Sequence, residues 1–247
     1  MDGVDTSDLV FPYLLRKVTE RAALESYDWI GRGNKEGGDK AAVEAMRMSL
    51  TELKLNGTVI IGEGEKDEVP GLYNGQVFGN KNASDQLDIA VDPVEGTTSL
   101  AVGQTNAMAV IAIAPKGTMF DPMPAFYMEK FSAPAETRGK IDMKWPTEKK
   151  LHTVAKLIGK DVENLRVYVL DKPRHRNLVE EIYLTGARVS LYPAGDIAGA
   201  IMAATPDSEV DVLMGTGGTP EGIISACAIR ALGGEFLGRM DPQLATE

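Results

Sequence analysis

The sequence predicts a two-domain α/β protein in which layers of helix and sheet alternate. Three observations predict it. Short apolar runs at 59–61, 88–92 and 107–114 read as strands, and two long helical patterns precede them. After residue 150, strand and helix patterns alternate in a βαβ rhythm, which argues for a mainly parallel sheet. Between the halves, residues 132–150 (SAPAETRGKIDMKWPTEKK) turn to Pro, Gly and charge and mark a domain junction. The expected domains are 1–140 and 147–247.

Residues 7–30 read as the first helix, with Ser7 as cap, Pro12 near the first turn and Leu14, Val18 and Ala22 four apart on one face. The polar, glycine-rich stretch 32–38 reads as a loop. Asp39 opens the next helix, carried by Val43, Met46, Leu50 and Leu53. Val69-Pro70 and Asn74-Gly75 mark turns. The run at 107–114 reads as a central strand, and 126–131 alternates weakly. In the second half, helices are expected from Thr147 to Ile158 with Gly159 ending it, and at 177–185, 197–204 and 220–232. Strands are expected at 167–170, 189–191 and 210–214. Residues 233–238 begin like one more strand and then give out at Met240-Asp241-Pro242, so a sheet edge is expected to be left open.

Composition narrows the function. A net charge of −10 and a pI of about 4.9 disfavour a nucleic-acid partner, which wants a basic face. Cys227 is the single cysteine, so no intrachain disulfide exists, and it reads as core. Asp2, Asp5 and Asp8 stand where a signal peptide would carry basic residues, and no run reaches the length of a membrane span. A soluble, cytoplasmic protein is expected. With two histidines in the chain, covalent histidine chemistry is not the expectation.

The stretch Asp88-Ile89-Ala90-Val91-Asp92-Pro93-Val94-Glu95-Gly96-Thr97-Thr98 carries the chemistry. Pro93 cannot donate to a ladder, so the strand is expected to stop at Asp92. Asp92, Glu95 and Thr97 then project from one turn at a strand's carboxyl end, where ligands sit in open α/β sheets. An Asx-type turn followed by a helix start accounts for the same residues without a ligand. Val59-Ile60-Ile61 runs into Gly62-Glu63-Gly64-Glu65, a second strand end bearing carboxylates. Carboxylates and hydroxyls without His or Cys suit a hard cation, Mg²⁺ or Mn²⁺. Three places in the second half suit anions: Lys172 and Arg174 after a strand, Gly195-Asp196, and the glycine turn 215–222. Each also has a plain reading, as a basic helix start or a first-turn acid such as Glu221.

GEGE at 62–65, DPVEGTT at 92–98 and GTGGTPEG at 215–222, in that order, resemble the class II fructose-1,6-bisphosphatases. More distantly, DPVEGT resembles the DPxDGT signature of the inositol-monophosphatase-like sugar phosphatases, with Glu95 at its second acid. The likeness runs from Val18 to Arg230. It implies a two-domain sugar-phosphatase fold and a metal-dependent hydrolase that removes the 1-phosphate of fructose 1,6-bisphosphate. Sedoheptulose 1,7-bisphosphate is a second candidate substrate. The resemblance implies metal ligands Asp39 (in Gly-x-Lys-x-x-x-Asp), Glu63, Asp92, Glu95 and Glu221, with Thr97, Glu63 and Asp92 catalytic. It implies substrate contacts from Glu95, Gly96, Thr97, Tyr127, Lys172, Pro173, Arg174, Ala194, Gly195, Asp196 and Gly218. The implied partner is a small sugar bisphosphate, without nucleic acid or membrane, in a homo-oligomer. Two departures stand out. Ala194 replaces an acid that the family links to sugar hydroxyls, and family chains continue past the point where this one stops, so the chain is expected either to be completed by a partner copy or to be less stable than a full-length relative. The alternatives are a broader sugar- or inositol-phosphate phosphatase and a non-catalytic metal- and phosphosugar-binding protein.

Overall fold

Phe11, Val18, Ala22 and Ser26 lie at helical spacing, and all four are buried. They line one face of α1 (Val10–Tyr27) in the computed structural model of the chain, which describes residues 10–53, 55–63, 71–122 and 125–243. Ser7, Gly64, Glu65, Val69 and Pro70, singled out above, lie outside the described residues. The chain forms two units, Met1–Asp121 and Pro122–Glu247.

In the first unit, α2 (Lys35–Glu52) buries Ala42, Met46 and Leu50 in one apolar cluster with Val18 and Ala22. The expected loop at 32–38 is shorter than its glycines imply. Asn34 caps the helix by accepting from the Gly37 N–H at 2.9 Å, and Gly37-Gly38 is already helical. The Trp29 ring is the reason: a Cβ on Gly37 would collide with it. Asp39 therefore lies one turn into the helix, and the first-turn acid is Glu36.

Four strands follow: β1 (Gly57–Ile61), β2 (Val77–Phe78), β3 (Leu87–Glu95) and β4 (Met108–Pro115), in the order β2-β1-β3-β4. β1 and β3 are parallel, and the other pairs are antiparallel. Two expectations are corrected here. β4 is an edge strand among the described residues; its apolar character comes from Ala109, Ile111 and Ile113 packing on the helix-covered core. β3 continues past Pro93, because the ladder breaks register between Asp92 and Glu95 and resumes at Glu95–Met108. The missing N–H of Pro93 falls inside that irregularity. A short helix, α3 (Thr97–Val102), follows at once.

The second unit holds β5 (Tyr127–Ala133), α4 (Thr147–Ile158), β6 (Arg166–Leu170), α5 (Arg176–Leu184), β7 (Arg188–Tyr192), α6 (Asp196–Ala204), β8 (Val212–Gly218), α7 (Thr219–Leu232) and β9 (Glu235–Met240). The strand order is β7-β6-β8-β5-β9. The βαβ rhythm gives the parallel pairs β6–β7 and β6–β8, but β5 is antiparallel to β8 and β9, so the sheet is mixed. Alternation along β6 divides the core. Val167 and Val169 join Leu151, Val154 and Ile182 of α4 and α5, while Tyr168 joins Ala200, Ala203 and Ile229 of α6 and α7. The stretch 132–150 begins inside β5 and belongs to this unit, so the chain divides before the composition shift. The shift records the irregular connection from β5 to α4. β9 forms fully, to Met240, rather than giving out, and pairs along β5.

Candidate functional site

In the first unit the irregularity in β3 creates the ligand end. Asp92 Oδ1 accepts the Val94 N–H at 3.0 Å, the Asx turn that the Asp-Pro pair predicts. The turn swings Glu95 back beside Asp92, with a carboxylate oxygen of each within 4.8 Å of the other. Glu95 is 6% exposed, so its charge is poorly hydrated. Gly96 then takes φ 83, ψ 45 and caps α3, whose first residue is Thr97. Glu63 stands at the same level on the neighbouring strand. It lies two residues beyond Ile61, which pairs with Ala90, itself two residues before Asp92. The Glu63 N–H donates to Leu72 O at 2.7 Å, and the Gly62 N–H to Asn74 Oδ1 at 2.8 Å. Asp39 lies on α2 one turn after Lys35, which donates from Nζ to Thr98 Oγ1 at 2.8 Å, and directly after Gly38, which packs on Leu100 of α3. Lys35 was not singled out from the residues; its place in the Gly-x-Lys pattern was the available signal.

In the second unit, Lys172, Pro173 and Arg174 form the 3₁₀ turn after β6, and Ala194, Gly195 and Asp196 lead from β7 into α6. Gly218 ends β8 and pairs with Tyr127 at the start of β5. All four groups lie at the same end of the strands, the carboxyl ends of β6, β7 and β8 and the start of β5. Arg174 Nε donates to Thr216 O at 2.9 Å, and its guanidinium lies 5.3 Å from the Tyr127 ring centroid. Beside it, Arg174, Thr216, Lys150 and Arg239 border a cavity of about 300 Å³ together with Glu129 and Glu181, and Glu129 already pairs with Lys150 and Arg239.

The glycine-rich stretch 215–218 is not the phosphate-cradling loop its composition suggests. It is strand, laddered to Tyr127–Lys130. Its glycines make room for side chains. Gly215 lies under the His175 ring, and a Cβ on Gly217 or Gly218 would collide with Asp196 or Glu221. Glu221 sits in the first turn of α7, and its Oε2 is buried with no hydrogen-bond partner among the described residues. A buried carboxylate oxygen without a donor is costly, and a cation is the partner its chemistry suits. The carboxylates of Asp92 and Glu95 fit a metal ion because an oxygen of each lies within 4.8 Å of the other, and a cation between two like charges offsets their repulsion. Asp196, by contrast, is held by a residue that the sequence reading passed over: Lys130 Nζ lies 2.7 Å from both of its oxygens. Burial raises the pKa of the half-buried Cys227 thiol, which disfavours a nucleophilic role.

The first unit thus carries clustered carboxylates that could hold a metal ion, and the second carries basic groups at its strand ends. The family model "Bacterial fructose-1,6-bisphosphatase, glpX-encoded" matches residues 11–247, and the chain belongs to that family. The chain is 48% identical over 224 residues to fructose-1,6-bisphosphatase 1 class 2 of Escherichia coli K12 and, equally, to fructose-1,6-bisphosphatase class 2 of Shigella flexneri. Each match covers 91% of this chain and 66% of the relative, so the chain spans just under two thirds of those proteins' length. Among solved structures, an extragenic suppressor from Pyrococcus furiosus aligns with a TM-score of 0.42 and 14% identity, over 78% of this chain and 70% of its own. Among the described residues no helix is long and apolar enough to cross a membrane.

Proposed function

We propose that this chain hydrolyses the 1-phosphate of fructose 1,6-bisphosphate, giving fructose 6-phosphate, in a metal-dependent reaction. The observation that carries this reading is the Asp92–Glu95 carboxylate pair, delivered by the break in β3 directly before Thr97. Within the family, this arrangement belongs to phosphate-ester hydrolysis.

Asp39, Glu63, Asp92, Glu95 and Glu221 would hold Mg²⁺ or Mn²⁺. Such cations, when bound, offset phosphoryl charge and make water more acidic. The protein's own task is then alignment, since phosphoryl transfer asks mainly for positioning and charge stabilisation. Thr97 Oγ1 would hydrogen-bond the attacking water and hold it in line, with Glu63 and Asp92 shaping the same pocket. Lys172, Arg174 and Tyr127 would grip the second phosphate. Arg174 is pre-set for this, because its bond to Thr216 O already fixes the guanidinium. Gly195, Asp196 and Gly218 would face the sugar, and remote binding there would orient the reacting ester. We place the protein in the cytoplasm, as a homo-oligomer.

Ala194, where the family carries an acid, favours a second reading, a broader sugar-phosphate or inositol-phosphate phosphatase, with sedoheptulose 1,7-bisphosphate kept as a further substrate of the first. Phosphate release from these three substrates, with Mg²⁺ or Mn²⁺, separates the readings. Preference for fructose 1,6-bisphosphate supports the first. Preference for inositol monophosphate promotes the second, and metal-dependent binding without turnover would make the chain a sensor.

A further inference from the structure

Lys130 sits in the middle strand of three, laddered to Gly215 on one side and Gly238 on the other, and is 1% exposed. Strand alternation sends its side chain to the α6–α7 face, into apolar surroundings. An ammonium there is tolerated only with a well-placed partner. Asp196 supplies it with both oxygens at 2.7 Å, from the first turn of α6, where the helix dipole favours its charge. Glycines on two elements keep the path open. A Cβ on Gly217 of β8 would lie 3.0 Å from Lys130 Nζ, and one on Gly222 of α7 would lie 3.2 Å from Lys130 Cε.

A second anchor acts on the preceding residue. Tyr168 OH donates to Gly195 O at 2.5 Å. Its ring is stacked on Tyr192 at 4.0 Å and given room by Gly199, where a Cβ would lie 2.6 Å from the ring. The turn Ala194-Gly195-Asp196 is thus held at a backbone carbonyl and at a carboxylate, from two different strands beneath it.

We infer that Lys130 and Tyr168 are positioning residues that hold the 194–196 turn in the pose that reads sugar hydroxyls. This rests on the function proposed above. Tied to Lys130 Nζ at both oxygens, the Asp196 carboxylate is fixed in plane, and so is the direction in which its acceptor sites point.

The test compares two substrates: fructose 1,6-bisphosphate, and para-nitrophenyl phosphate, an ester without sugar hydroxyls. Lys130→Met should lower the ratio of their kcat/KM values by about tenfold or more, through the KM for the bisphosphate, the size expected when a hydroxyl-reading site loses its geometry. Tyr168→Phe should lower it in the same direction by about threefold. If Lys130→Met does not fold, as judged by near-ultraviolet circular dichroism, Tyr168→Phe decides, because its ring stays stacked. An unchanged ratio in the folded variants overturns the inference, as does an equal loss on both substrates. A wild-type protein inactive on the bisphosphate is a separate result: it removes the function proposed above, and this inference with it.

Discussion

At the end of β3, Gly96 takes φ 83 and turns the chain, and the nearest atom to a Cβ placed there is 3.5 Å away. At the end of β8, Gly218 has an ordinary extended backbone (φ −60, ψ 137), yet a Cβ on it or on Gly217 would strike a carboxylate. The first glycine is needed for its torsions and the second pair for their emptiness. Both strands end at acids, by different means. β3 brings its own acids together through a break in the ladder. β8 keeps its register with β5 and lets Asp196 and Glu221, from the two helices beside it, lie against its bare backbone. Chemistry should therefore be separable from stability at β3 and entangled with it at β8.

The largest expected effect is chemical and lies at β3. Asp92→Asn keeps the Oδ1 that accepts the Val94 N–H, so the turn should persist. It removes a ligand charge, and kcat should fall by about a thousandfold. The metal-free protein should melt no lower than wild type, since one of two neighbouring like charges is gone. Full activity at saturating Mn²⁺ would remove Asp92 from the site. Next comes Thr97, where Thr97→Ala should lose about a hundredfold in kcat, and Thr97→Ser should keep most of the rate. A change in KM with kcat intact would make Thr97 a binding group instead.

Stability separates the glycines. Gly217→Ala should cost about 2–3 kcal/mol through overpacking against Asp196 and Lys130. Gly96→Ala should cost about 1–2 kcal/mol, the left-handed backbone penalty, and Gly96→Asn less, because asparagine tolerates that conformation. At Gly217, asparagine should be no better than alanine. Urea denaturation of the four variants measures this. Equal rescue by asparagine at both positions would erase the distinction.

The contrast also marks what the sequence made legible. The β1 and β3 cores, α4 with Gly159 at its end, and α6 are set by local periodicity and caps, and they fall within a few residues of where the pattern puts them. Asp92 and Glu95 are neighbours for a local reason too, three residues apart across an Asx turn. β8 beyond Met214 was not legible: Gly215–Gly218 reads as loop, and only pairing with β5, far away in sequence, makes it strand. The edge position of β4 is likewise non-local. Lys130 was hidden because strand alternation assigns a lysine to solvent, and its partner lies 66 residues away. Glu63 is marked by the strand end at 62–65, whereas Asp39 and Glu221 came from the family likeness; no spacing rule links an acid on a helix to one on a second unit.

The smallest effect tests β8 once more, through pH. The His175 ring lies over Gly215 and bridges the Lys172–Arg174 turn to the strand. Nδ1 lies 2.7 Å from Leu170 O, and Nε2 takes the Thr216 N–H at 2.8 Å, which sets a neutral ring with its proton on Nδ1. Burial is the main cause that lowers its pKa below the ordinary 6.5; Arg174 adds to this, while the bond to Leu170 O and the charge of Asp196 oppose it. The unfolded chain therefore takes up the proton first. As pH falls through about 6.5, unfolding should become easier, by at most about 1.4 kcal/mol per pH unit, levelling once the folded ring also protonates. His175→Gln lacks that proton. It should melt lower near neutral pH but lose less on going from about pH 7.5 to 5.5 than wild type does. His152, the other histidine, is exposed and common to both proteins. Parallel melting curves across that range would show that the folded ring takes up its proton as readily as the unfolded one, so that the Thr216 N–H does not hold Nε2 as an acceptor.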